Sequence, residues 1–179
     1  WHADLNDDIV RDYVDRSHFE RLLRAKGIDE SNTVVFYGDN SNWFAAYALW
    51  VLKYYGFENA KLMNGGRKKW IDEGREIASD VPSYARTSVT VPGPRNEIRA
   101  LRNEVFDLLE KMPSGKAALV DVRSPKEFSG ELLAPENLPQ EGSQRGGHIP
   151  GALNIGWAQA CNEDGTFKSA DELKALYGG

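Results

Sequence analysis

The sequence predicts an α/β fold: mostly parallel sheet flanked by helices, in two tandem and incomplete units. Three observations carry this. Short apolar runs at residues 33–37 and 117–122 alternate with stretches of helical period, as in parallel sheets with crossover helices. Each run feeds directly into a polar loop or a helix start, where open α/β sheets place their ligands. The chain also repeats itself. Trp1 pairs with Trp157, Tyr13 with Phe167 and Asp15 with Ser169, and the triplet Phe19, Leu22, Leu23 pairs with Leu173, Leu176, Tyr177.

Taken in order, residues 1–11 read as a polar loop. Asp15 or Ser17 caps a helix whose apolar face is Phe19, Leu22 and Leu23 and whose stop is Gly27. Residues 33–37 form a buried strand, 38–42 a loop, and 43–55 a long apolar helix ended by Gly56. A strand at 60–63, the Gly65-Gly66 turn and a short helix at 67–73 follow. Between Ala78 and Arg99, Pro82, Pro92, Gly93 and Pro94 break any period, which predicts an interdomain linker, partly extended.

A helix over 102–112 turns Val105, Leu108, Leu109 and Met112 inward. The run at 117–122 predicts a strand buried on both faces, with Asp121 and Arg123 at its carboxyl end. Ser124 then opens a helix with Pro125 first, Glu127 third and Gly130 as its stop, a capping box. Residues 132–147 form a long loop, of the kind that carries function or packs on a neighbour. A strand at 153–155 follows, and Ser169 with Glu172 caps the last helix.

Composition narrows the function classes. The 179 residues are 41% hydrophobic and 27% charged, as in ordinary globular proteins. No apolar run approaches a membrane span, and a net charge of −5 disfavours nucleic acid or an anionic membrane as partner. The single cysteine, Cys161, allows no internal disulfide and fits a cytoplasmic setting. One Cys and three His provide no metal-ligand spacing, so neither metal nor cofactor is expected.

Three segments bear a resemblance to the rhodanese (sulfurtransferase) family. These are Asp121-Val122-Arg123 after a core strand, the run Gly147-His148-Ile149-Pro150-Gly151-Ala152-Leu153-Asn154, and Gly65-Gly66 followed by Trp70. The resemblance covers nearly the whole chain, in the layout of a tandem thiosulfate sulfurtransferase. It implies that residues 1–78 are the back half of a non-catalytic domain and 79–98 a linker. Residues 99–179 are then the front half of a catalytic one.

In that family a cysteine at the strand-to-helix loop takes the outer sulfur of thiosulfate as a persulfide. A loop aimed at a helix start lowers thiol pKa and favours such chemistry. The matching positions are Gly38 and Asp39, a degenerate loop that cannot form a persulfide. The nucleophile is therefore expected beyond Gly179, and the 179-residue chain alone is expected to be inactive. Cys161 aligns with the apolar Leu5 in the repeat and reads as structural.

Asp121 and Arg123 read as supports of the site, favouring an anionic substrate, or else as a plain ion pair. Glu127 stands where some members carry a substrate-binding Arg, and capping accounts for it. His148 could be a general base, but pinning the loop ahead of Pro150 and Gly151 is the simpler role. Trp43, Phe44 and Tyr47 read as core, and Arg67-Lys68-Lys69 as a solvated helix face.

The expected partners are thiosulfate, a small anionic sulfur donor, and a thiophilic acceptor such as cyanide. Alternatives are a 3-mercaptopyruvate sulfurtransferase, told apart by the second loop, or a non-catalytic binding or regulatory module lacking that cysteine. A phosphatase of the same fold would need a longer loop.

Overall fold

A computed structural model describes residues 2–7 and 12–178. The chain divides into two units. One runs through Arg99 and takes in Glu163–Thr166; the other holds Ala100–Asn162 and the residues from Phe167 onward.

The first unit begins with helix α1, His2–Leu5, where a loop is expected from sequence. Leu5 explains the difference: it is buried in the core, and its carbonyl accepts from Val14 N at 3.0 Å. Residues 8–11 of that expected loop, and Trp1 at the start of the repeat, lie outside the described residues. Asp15, not Ser17, caps α2, Arg16–Ala25, its carboxylate accepting from His18 N. Strand β1, Val34–Phe36, pairs in parallel with β2, Ala60–Leu62, in the register Val34 to Ala60. Between them runs α3, Trp43–Tyr54, and after β2 comes α4, Gly66–Asp72.

The core is built mainly from one face each of α2 and α3. Phe19 and Leu23 of α2 and Val51, Leu52 and Tyr54 of α3 are buried together with Val14 and Tyr55. Phe19 stacks on Tyr55 at 4.7 Å. Tyr47 packs against this core, whereas Trp43 and Phe44 stack on each other at the start of α3 and are only half-buried. The expected burial of β1 is only half realised: Val35 is 51% exposed. The sheet has two strands among the described residues.

The stretch read as a linker has the irregular backbone its prolines demand, with one 3-10 turn at Asn96–Ile98. It is nonetheless packed. Val89 and Val91 are buried in the first unit's core. Arg24 Nε donates to the Val89 carbonyl at 2.8 Å, Arg16 Nη2 to the Val91 carbonyl, and Val91 N to Glu20 at 3.1 Å. Arg95 N reaches the Tyr54 carbonyl at 2.7 Å. Two valines in a Pro-rich stretch are too weak a pattern to reveal this; the partners lie some 70 residues away on α2.

The second unit holds α5, Arg102–Lys111; β3, Val120–Asp121; α6, Pro125–Ser129; β4, Leu153–Asn154; and α7, Ala170–Tyr177. β3 and β4 are parallel, Val120 opposite Leu153. Here too the doubly buried strand is not found. Val122 and Leu153 are about half exposed, and Ala152 is the one buried apolar residue of the unit among those described. No described helix is long and apolar enough to cross a membrane.

Gly66 tests the packing of the first unit. Its φ is +58°, and a Cβ there would lie 2.6 Å from the Gly38 carbonyl oxygen. Gly74 has a similar φ of +67° but open space around it. Gly66→Ala is therefore expected to cost about 3 kcal/mol of unfolding free energy and Gly74→Ala about 1 kcal/mol, read by urea unfolding.

Candidate functional site

In the second unit, the apolar run ends at Asp121, and the chain must turn at once into α6. Arg123 is held over that turn by Asp121. Its Nη2 donates to Asp121 Oδ2 at 2.6 Å, its Nε to Oδ1 at 3.0 Å, and its backbone N to Oδ1 at 3.0 Å. The paired guanidinium holds the Asp121 carboxyl below the ordinary carboxylate range, and Arg123 is raised in turn. The same Nη2 donates to the Gly147 carbonyl at 2.8 Å, which fastens the second motif to the first.

Asn154 closes the connection from the other side. Its Nδ2 donates to the carbonyls of Asp121 at 3.0 Å and Arg123 at 2.9 Å. The Asp121 carbonyl also accepts from Ile155 N at 3.1 Å, whereas the Arg123 carbonyl lies past the end of the two-residue strand, where Asn154 serves it. Sequence reasoning passed over Asn154. Its position in the motif at the end of a strand is the signal that marks it.

Ser124 caps α6. Its Oγ accepts from Glu127 N, and the Glu127 carboxylate accepts from Ser124 N at 3.2 Å and Oγ at 2.7 Å. Glu127 is 7% exposed, and these two bonds give its buried carboxylate its donors. His148 lies flat on Phe128, ring centroids 3.6 Å apart, with Nδ1 2.8 Å from the Phe128 carbonyl oxygen. Gly151 sits at φ +85°, where a Cβ would meet Met112 at 2.9 Å. Asp121, Arg123 and His148 thus come together on the wall of a groove of about 800 Å³, open along β3.

The loop at 38–42 of the first unit has a lock of its own. Asn40, Ser41 and Asn42 are all left-handed, at φ 49°, 52° and 65°. Asn42 is fully buried; its Oδ1 accepts from Gly38 N at 2.8 Å and its Nδ2 donates to the Met63 carbonyl at 2.7 Å. Gly66 must be a glycine because it lies against Gly38 and Asn42. Asp39 faces Arg67, Nη1 to Oδ1 3.4 Å. The basic run after Gly66 is solvated but paired: Lys68 meets Asp72, and Lys69 reaches Glu73 at 3.4 Å and Asp164 at 3.0 Å.

Cys161 stands elsewhere, half-buried and outside the groove lining. Its register in the repeat is corrected by one residue. An antiparallel bridge joins Cys161 to Phe167 just as one joins Asn6 to Tyr13. Lys168 N donates to the Ala160 carbonyl as Val14 N does to Leu5. The counterpart of Cys161 is therefore Asn6, whose side chain accepts from Tyr47 OH at 2.7 Å, and not Leu5. The two polar loops differ by one residue in length, which aligned tryptophans conceal. No group of three or more His, Cys, Asp or Glu residues among the described residues could hold a metal.

Known proteins resemble this chain along nearly its whole length. The profile described as "Rhodanese-like domain" matches residues 7–73 and 105–177. A protein of Saccharopolyspora erythraea named "Putative thiosulfate sulfurtransferase" is 53% identical over 178 residues, 99% of this chain and 62% of that protein. "Sulfur carrier protein TtuD" of Thermus thermophilus is 52% identical over 177 residues, again 99% and 62%. The chain thus spans 62% of the length of these relatives. Among solved structures, wild-type EanB aligns with a TM-score of 0.80 at 26% identity, covering 98% of this chain and 44% of that one.

The Asp121–Arg123 pair has a pH signature. Because the native carboxyl titrates below its unfolded value, its stabilisation is present above the unfolded pKa of about 4 and is lost as pH falls through the lower native one. Asp121→Asn is expected to cost about 1–2 kcal/mol near neutral pH, with the gap to wild type closing in acid. Urea unfolding across that pH range reads it; a gap that does not depend on pH would contradict the assignment.

Proposed function

The chain belongs to the rhodanese-like domain family, and from that premise we propose that it is part of a thiosulfate sulfurtransferase working through a cysteine persulfide. One observation carries the reading: Asp121, Arg123 and His148 line a groove that takes in the carboxyl end of β3, the end at which α/β sheets bind ligands. The names of the relatives, a thiosulfate sulfurtransferase and a sulfur carrier protein, support it.

In this reading residues 1–78 are the back half of a non-catalytic domain, 79–98 connect, and 99–179 are the front half of the catalytic domain. The nucleophile then sits at the second copy of the 38–42 loop, about a dozen residues past Gly179 by the repeat. Its thiolate attacks the sulfane sulfur of thiosulfate. A sulfur–sulfur bond forms to the cysteine, the bond to the sulfonate sulfur breaks, and the electron pair leaves with sulfite. Cyanide or another thiophile then takes the outer sulfur, and that bond's electrons return to the cysteine thiolate. The sequence of steps balances without a cofactor.

Asp121 and Arg123 hold the groove wall, and His148 and Gly151 shape the loop beside it. Gly38 and Asp39 keep the loop of the first domain without its chemistry.

The test is thiocyanate formation from thiosulfate and cyanide. A polypeptide extended through the second loop is expected to turn over, and the 179-residue chain is expected not to. Cys161→Ser in the extended protein should leave the rate within about twofold. Turnover by the 179-residue chain that Cys161→Ser abolishes would move the nucleophile to Cys161 and overturn the assignment.

A further inference from the structure

The loop at 132–147 holds a feature that the site above does not use. Arg145 lines the same groove as Asp121, Arg123 and His148. The other groups there are committed. Arg123 is neutralised by Asp121 and spends Nη2 on the Gly147 carbonyl. His148 Nδ1 is engaged by the Phe128 carbonyl. Among the described residues the Arg145 guanidinium has no hydrogen-bond or ion-pair partner, so its charge is the uncompensated one on that wall.

The backbone carrying Arg145 is fastened on both sides. Upstream, Ser143 N donates to the Leu133 carbonyl at 2.8 Å, and Ser143 Oγ to the Arg145 carbonyl at 2.9 Å. Downstream, Gly146 lies directly against Gly130: a Cβ on Gly146 would sit 2.9 Å from the Gly130 carbonyl oxygen, and one on Gly130 2.8 Å from Gly147 N. Arg123 holds the next carbonyl, that of Gly147. A long polar loop with so few apolar anchors would otherwise wander, which would cost affinity each time its side chain had to be placed.

We propose that Arg145 is the anion-recognition residue of this groove, binding the sulfonate oxygens of the thiosulfate donor. The guanidinium offers a planar fork of donors that suits an oxyanion. The inference rests on the proposed function in one respect, that the donor is an oxyanion. It assigns recognition to Arg145 and leaves Arg123 the task of positioning.

Two measurements test it. Thiosulfate is titrated into the 179-residue chain at constant ionic strength and followed through the amide resonances of residues 143–148. Saturable shifts are expected there, weakened about tenfold by Arg145→Gln and partly restored by Arg145→Lys. Lys116→Gln, which removes the same charge from an exposed position outside the groove, should change nothing. Shifts absent from those amides, or unaffected by Arg145→Gln, overturn the inference. In the extended protein, Arg145→Gln should raise the thiosulfate KM about tenfold and leave kcat within about twofold. A fall in kcat at unchanged KM overturns it too. Failure of the wild-type extended protein to turn over would instead sink the proposed function, while the binding titration still decides on Arg145.

Discussion

The second unit depends on a single polar junction. Asp121 grips Arg123, Arg123 grips the Gly147 carbonyl, and Asn154 ties back to the carbonyls of Asp121 and Arg123. Two stretches separated by more than 20 residues are thereby each other's hydrogen-bond partners. Magnitudes say why this matters here. With Ala152 the one buried apolar residue of the unit among those described, full hydrophobic burial contributes little to its local order. Hydrogen bonds to charged groups contribute about 1.5–3 kcal/mol each when their partners are held in place. The groove is held in shape by polar geometry, and its motif residues are conspicuous because each has a definite partner.

The first unit is ordered by an apolar core instead. Its core is closed by Phe19, Val51, Leu52 and Tyr55, with Val89 and Val91 drawn in from the irregular stretch. Its loop at 38–42 is then locked by one buried amide, Asn42, and by a glycine contact that excludes any side chain at Gly66. Three successive left-handed residues are costly, and Asn is among the few types that accept that backbone at tolerable cost. The loop thus keeps a strained form although Gly38 and Asp39 offer it no thiol.

What the sequence could show was set by range. The box Ser124–Glu127, the stop at Gly130, the cap Asp15 and the box Ser169–Glu172 are realised because both partners lie within one helical turn. Misreadings cluster where a distant partner decides. Val35 and Val122 look like buried strand residues in any local window, yet the sheets have only two strands among the described residues. Leu5 makes a helix of an expected loop because a core lies beneath it. Cys161 takes the register of Asn6 rather than Leu5, because a strand bridge and not the tryptophan sets the alignment.

By itself, then, the sequence determined the capped starts of α6 and α7, the order of strands and helices from α2 onward, and the motifs that mark the groove. Those are encoded by spacing along the chain, where propensity and neighbouring hydrogen bonds suffice. Only the tertiary structure decided that Asn154 and Arg123 bind the two motifs together, that Val89 and Val91 anchor the stretch read as a linker, and that Arg145 has no partner on the groove wall among the described residues. Each of these is a relation between residues far apart in sequence, fixed by which donor finds which acceptor once the backbone has closed.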